Sequence, residues 1–218
     1  MLFSSLGFIF LFLPIFIILY FNVAKINLKF SKIILICASV IFYCYSNYKL
    51  AFYLIGSIIV NSFIAYILSK KKLKILLGAG VILNIGLLLF FKYYNFFVEN
   101  FNSIFMTDLK ALNIFVPLGI SFVTFKYVSS FAEIYKHDSD TLDLISYISY
   151  ISFFPQIISG SISQYYVMEE SLKNKDNYKF NIDNFSSGLF LFSSGLIKKV
   201  LVAGNLVTIE TTCLSGGG

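Results

Sequence analysis

The sequence predicts an all-α protein, a polytopic bundle of transmembrane helices with about seven apolar segments, some of them broken or re-entrant. Three observations support this. Hydrophobic residues make up 58% of the 218 residues and charged residues only 13%, where a soluble domain carries about a quarter. Mean hydropathy is +0.82. The apolar residues fall into about seven long runs separated by short, lysine-bearing breaks, and burying that much apolar surface with so little polar cover requires lipid. Residues 1–207 read as one membrane-embedded domain and 208–218 as a short unstructured tail.

Taken in order, 5–24 forms a first span without a charge, kinked at Pro14. It lacks the basic start and small-residue cleavage site of a secretory signal. Lys25, Lys29 and Lys32 follow in a loop. Residues 33–68 are too long for one span, and Tyr45-Ser46-Asn47-Tyr48-Lys49 is the only polar break, so spans at 33–45 and 50–68 are expected around a tight turn. Ser57 and Asn61 lie inside the third span and suit interhelical hydrogen bonds. A fourth span, 75–91, offers Gly78, Gly80, Asn84 and Gly86 as a small-residue packing face; the aromatic stretch 92–101 suits a separate interfacial helix. Span five is 115–135, apolar segment six is 142–162, and segment seven is 185–205.

All 17 basic residues are Lys, and the net charge is +6. In a membrane protein such an excess reports topology and contact with anionic lipid rather than nucleic acid. Placing 25–32 and 70–74 in the cytoplasm puts the N-terminus outside. Strict alternation then leaves Tyr48-Lys49 outside, His137 inside, loop 168–184 outside and Lys198-Lys199 near the inside. Cys37 and Cys44 are about 10 Å apart along one helix face, too far to bridge, and read as small buried thiols. No phosphate loop, zinc-hydrolase motif or dinucleotide glycine pattern occurs, and no cofactor or metal is expected.

Two stretches are unlike lipid-facing helix. Phe153-Phe154-Pro155-Gln156-Ile157-Ile158-Ser159-Gly160 interrupts an apolar segment with Pro, an amide and Gly. Pro117-Leu118-Gly119-Ile120-Ser121-Phe122-Val123-Thr124-Phe125 has the same character. Backbone groups freed by such breaks need partners, and within hydrocarbon only protein or a wet cavity supplies them. Both stretches therefore belong inside the bundle, bordering a cavity. Lys126, with Glu133 two turns on along the same face, either snorkels to the interface or lines that cavity.

These stretches resemble the membrane-bound O-acyltransferase family, nearest the alginate O-acetyltransferase membrane subunit, with a teichoic-acid D-alanyl-transfer protein as a more distant relative. Four blocks carry the likeness, in family order. They are Met1-Leu2-Phe3-Ser4-Ser5 leading to Phe10-Leu11-Phe12-Leu13-Pro14; 117–125 followed by Ile134-Tyr135; 153–160; and Gly195-Leu196-Ile197-Lys198-Lys199-Val200-Leu201-Val202-Ala203. The resemblance implies transfer of an acyl group, acetyl in this branch, from an acyl-CoA or acyl-carrier thioester to a hydroxyl of a cell-envelope or extracellular polysaccharide or polyol, through a tunnel across the bilayer. It implies Pro117, Ser121, Thr124, Lys126, Pro155, Gln156, Ser159 and Gly160 as tunnel-shaping residues. It also implies the plasma membrane as location and a periplasmic or extracellular acetyl-transfer protein as a partner.

The chain departs from the family pattern. The third block lacks the family's Pro and Arg, reading Gly160-Ser161-Ile162-Ser163-Gln164-Tyr165, and the fourth ends Ala203-Gly204-Asn205 without the family's Asp. The family's general base is a His in a later membrane segment. The one His here, His137, lies in a polar turn outside the blocks and reads as a solvated loop residue. The expectation is an N-terminal half without a catalytic residue of its own, completed by a separate chain or left as a non-catalytic scaffold. A small transporter is the alternative from another class, since broken helices also build transport sites, but no inverted repeat is visible.

Overall fold

The computed structural model describes residues 5–46, 48–108, 110–117, 119–137, 141–157, 160 and 163–198. Those residues form helices and connecting turns, with no strand among them. A π-helical stretch, Phe8–Phe12, runs directly into α1, Leu13–Ala24. Pro14 therefore sits in the first turn of α1, where its missing N–H costs little, and the irregularity falls before it. Three longer helices follow: α2 (Leu28–Ser46), α3 (Tyr48–Lys71) and α4 (Lys74–Phe105). Each contains a stretch long and apolar enough to cross a membrane.

The fourth expected span and the interfacial helix are one element. Past Gly86 the sequence holds no Gly or Pro before Phe105, so nothing breaks the backbone ladder, and α4 continues for 32 residues. At 1.5 Å per residue that is about 48 Å, longer than a hydrocarbon core. The fifth segment is shorter than expected. Residues 115–117 are not helical, and α5 is Ile120–Lys136.

The sixth segment does not cross. It breaks into α6 (Leu144–Ser152) and a single turn, α7 (Phe154–Ile157), and the chain returns as α8 (Tyr165–Lys173). A 3-10 turn, Lys175–Tyr178, leads to α9, Ile182–Ile197. This re-entrant path corrects the strict alternation. Lys25 of the α1–α2 turn, Lys29 in the first turn of α2, Asp143 before α6, and Lys173, Lys175 and Lys179 all line one cavity. Tyr20 stacks on Tyr178, with ring centroids 5.8 Å apart. Lys72, after α3, donates through Nζ to the carbonyls of Ile134 and His137 at the end of α5. Loops 25–27, 72–73 and 174–181 thus share one end of the bundle, and 168–184 is not opposite 25–32. Because α9 starts at that end and packs Phe192 against the cluster around Phe8, it carries Lys198 away from it, not to the side of loop 25–32 where strict alternation placed it.

The core lies between α3, α5, α6 and α8. Ala65, Leu68, Phe131, Ile134, Tyr147, Tyr150 and Tyr165 are fully buried within it. Asn84 donates to Asn61 at 2.6 Å, and Ser57 shares a 3.2 Å hydrogen bond with the Tyr127 hydroxyl, so the polar residues of span three do link helices. Of the expected small-residue face of α4, Gly80 and Asn84 are buried, and a Cβ on Gly80 would press on the Phe131 ring. Gly78 and Gly86 face open space. Cys37 and Cys44 are exposed, contrary to the buried expectation. The buried face of α2 is Ser31, Leu35, Ser39 and Phe42, and the thiols lie on the far side with Ile33 and Ile41.

Candidate functional site

The two interrupted stretches meet at the junction of α5 with α6 and α7. Gly119 opens α5 with φ +75°, a left-handed conformation that favours glycine. Any Cβ there would strike the carbonyl oxygen of Ile157, so the absence of a side chain lets the second stretch approach the first. Gly160 is fixed similarly. Its N–H donates to the Gln156 carbonyl at 3.2 Å, and a Cβ would run into the Gln156 backbone.

Lys126 is the centre of the junction. It is 1% exposed and neither snorkels nor lines open water. Its Nζ donates to the Tyr150 carbonyl at 2.6 Å and to Gln156 Oε1 at 3.1 Å, and lies 4.4 Å from the centre of the Tyr150 ring. Tyr150 is in the last turn of α6, where its carbonyl otherwise accepts only a long bond from the Phe153 N–H at 3.5 Å among the described residues and the helix dipole is negative, so a cation is well placed. Gln156 Oε1 also accepts from Ser163 Oγ at 3.3 Å, and the Tyr150 hydroxyl donates to the Ser163 carbonyl at 2.8 Å.

Glu133 performs the opposite task two turns along α5. Its Oε2 accepts from the N–H of Tyr165, the first residue of α8, at 2.7 Å, while Oε1 accepts from Ser129 at 3.0 Å. One helix thus presents a cation to the end of α6 and an anion to the start of α8, holding both sides of the re-entrant turn. Ser39 Oγ of α2 accepts from the Phe154 N–H at 3.2 Å. The Phe154 and Tyr165 N–H groups and the Tyr150 and Ser163 carbonyls are thus met by side chains, as hydrocarbon requires. Phe154 also packs against Phe8, Phe12, Phe16 and Phe42, with ring centroids 5.3–6.2 Å apart.

The sequence-derived candidates take different places. Thr124 and Pro117 are buried, Ser121 and Gln156 partly so, and Pro155 is exposed in the first turn of α7. Ser159 lies outside the described residues, as do Leu118 and residues 199–203 of the fourth block. A cavity of about 260 Å³ adjoins the first stretch, between Lys92 and Pro117, Gly119 and Ser121. His137 sits at the end of α5, exposed and stacked on Tyr166 at 3.9 Å, eleven residues and roughly 16 Å along the helix from Lys126. Among the described residues no group of three or more His, Cys, Asp or Glu could hold a metal ion.

Several residues of the junction escaped the sequence reading. In Ser146-Tyr147-Ile148-Ser149-Tyr150-Ile151-Ser152 the period of three places three serines on one face and two tyrosines beside it, and all five are fully buried. Ser152 Oγ is buried at the break without a hydrogen-bond partner among the described residues. At the outer end of α6, Asp143 caps the helix through the Ile145 N–H, while Lys32 Nζ reaches Asp143 at 3.1 Å and Ser146 at 2.6 Å. Burial raises the Asp143 carboxyl, but the hydrogen bonds from Ser146 and Lys32 outweigh it and hold the group below its usual range.

Comparison with known proteins places this arrangement. A peptidoglycan O-acetyltransferase of Helicobacter pylori is 35% identical over 94% of this chain and 45% of its own length. The chain is a homologue of the membrane-bound O-acyltransferases. Probable alginate O-acetylases of Pseudomonas syringae pv. tomato and Pseudomonas aeruginosa are 31% and 28% identical, each over 99% of this chain and 42% of its own length. The chain thus spans less than half the length of these curated relatives. No family model matches it, and no solved structure does.

Proposed function

We propose that this chain is part of a plasma-membrane O-acetyltransferase that moves an acetyl group from a thioester donor to a hydroxyl of a cell-envelope or extracellular glycan. The observation behind this reading is the alignment of nearly the whole chain with proteins named for that reaction. The geometry is consistent with it. Two of the four blocks that carry the sequence resemblance lie against each other, joined through Gly119, Lys126 and Gln156.

Transfer to a hydroxyl needs a base to take its proton and donors to stabilise the oxyanion. In this reading α5, α6 and α7 form the rigid wall along which donor and acceptor approach. Lys126 and Glu133 hold that wall in shape, and Pro117, Ser121 and Gln156 face the path. His137 lies at the end of α5 and is assigned no part in the chemistry. The lysine-rich end faces the cytoplasm, in keeping with the positive-inside bias, and the acetyl group leaves on the opposite side, where an extracellular acetyl-transfer protein would receive it.

Ester-linked acetate on cell-wall glycan and on exopolysaccharide, measured in cells with and without the gene, tests the proposal. A fall in one pool of at least about tenfold, a modest fraction of enzymatic rate enhancement, supports it and names the acceptor. Unchanged acetate in both pools overturns it.

A further inference from the structure

A separate pair of cavities lies away from the α5–α6 junction. At the lysine-rich end, the α1–α2 turn, the start of α6 and the turn after α8 border an open-mouthed cavity of about 1030 Å³. Six lysines line this chamber: Lys25, Lys29, Lys32, Lys173, Lys175 and Lys179. Lys32 pairs with Asp143 at 3.1 Å, Lys173 with Glu169 at 3.0 Å and Lys179 with Asp176 at 2.9 Å. Lys25, Lys29 and Lys175 have no ion pair among the described residues. The chamber is therefore cationic after its own acids are counted.

Next to it, a groove of about 530 Å³ runs between α1 and α9, from Phe21 and Phe185 to Leu13 and Phe192. Lys179 and Phe180 border both spaces. From Phe21 to Leu13 the groove follows α1 for roughly 12 Å, away from the charged end and into the apolar zone. No residue of α9 is buried among the described residues, and the groove opens onto their surface.

We propose that chamber and groove together hold one anionic phospholipid, its phosphate among the lysines and one acyl chain between α1 and α9. Each half of the site excludes a different competitor. A soluble phosphate compound would satisfy the lysines and leave the apolar groove empty. A zwitterionic lipid would fill the groove but bring an ammonium group to three uncompensated lysines. A basic pocket between helices at the membrane surface is a general means of selecting an anionic headgroup. The site does not depend on the acetyl-transfer reading.

The test uses the full chain in detergent, titrated with dioleoylphosphatidylglycerol, dioleoylphosphatidylcholine and glycerol phosphate. The wild type is expected to bind the phosphatidylglycerol at least about tenfold more tightly than the phosphatidylcholine, with each nearby lysine adding to the preference. Lys25→Gln/Lys29→Gln/Lys175→Gln should bring the preference below about threefold, and the same positions changed to Arg should retain it. Lys70→Gln/Lys71→Gln, at the same end but outside the chamber, should leave it intact. Gly188→Phe should weaken both lipids, since Gly188 lines the groove and a Cβ there meets nothing within 4 Å. Equal affinity of the wild type for the two lipids, glycerol phosphate competing as well as the anionic lipid, or full preference in the triple Gln variant would each overturn the proposal.

Discussion

Lys126 brings a formal charge into the centre of the bundle and forms no ion pair among the described residues. What it meets instead is the carbonyl end of a short helix, an amide oxygen and an aromatic face. A buried charge is tolerable only when such groups replace its hydration. Lys126→Met keeps most of the side-chain volume and removes the donor, leaving the Tyr150 carbonyl without its strongest partner. Loss of a charged hydrogen bond of this kind costs about 1–3 kcal/mol. The substitution is therefore expected to lower the thermal midpoint of the detergent-solubilised chain, and an unchanged midpoint would show that Lys126 does not hold the junction. The sequence made Lys126 conspicuous because a cation in an apolar run demands an explanation. It could not say which explanation applied. The deciding partner is a backbone carbonyl 24 residues away, and backbone groups look alike in every sequence.

At the scale of elements, the legible features were those with a local cause. Spans two and three, the break near Asn47 and the polar links at Ser57 and Asn61 follow from apolar run length and isolated polar residues. The interruption at 153–160 was visible because Pro and Gly punctuate it. That some segments are broken or re-entrant was legible, but the side on which this one leaves was not, because an apolar segment of 21 residues has the length of a span whether it crosses or turns back. The turn back depends on tertiary partners: Ser39 for the freed N–H, Phe154 in its aromatic cluster, and Gly119 giving room to Ile157. The split of 75–101 into span and interfacial helix failed for a different reason, since a change in polarity does not interrupt a backbone that nothing else interrupts. Gly119 provides the test of this packing. Gly119→Ala combines left-handed strain of about 1–3 kcal/mol with a clash against backbone that cannot swing aside. Gly86→Ala meets open space within a helix and should stabilise by up to about 1 kcal/mol. Opposite shifts in thermal midpoint are expected for the two variants. A tolerated Gly119→Ala would mean that the α5 and α7 segments are not held in contact.

For the whole molecule, the re-entrant sixth segment changes the sidedness of everything after it. Strict alternation places loop 168–184 opposite loop 25–32. The structure places them together, with Tyr20 stacked on Tyr178 and a cavity shared by Lys25, Lys29, Lys173 and Lys175. The charge distribution then becomes simpler. Lysines 25, 29, 32, 70–72, 74, 136, 173, 175 and 179 gather at one end, while Lys110 and Lys198 lie toward the other. The lysines of 168–184, which counted against the positive-inside rule under strict alternation, now follow it. The same folding back produces the cationic chamber, because it alone brings the turn after α8 against the turn after α1. Cysteine labelling from one side of the membrane separates the two topologies. In a background with Cys37, Cys44 and Cys213 changed to Ser, Asn27→Cys and Asn177→Cys should react with a membrane-impermeant maleimide from the same face, and Thr107→Cys from the opposite face. The three positions fall in a connecting turn, an exposed 3-10 turn and the chain following α4, so none needs a buried site to open. If position 177 reacted with position 107 instead, the sixth segment would cross the membrane after all, and the phospholipid chamber would be lost with the re-entrant turn.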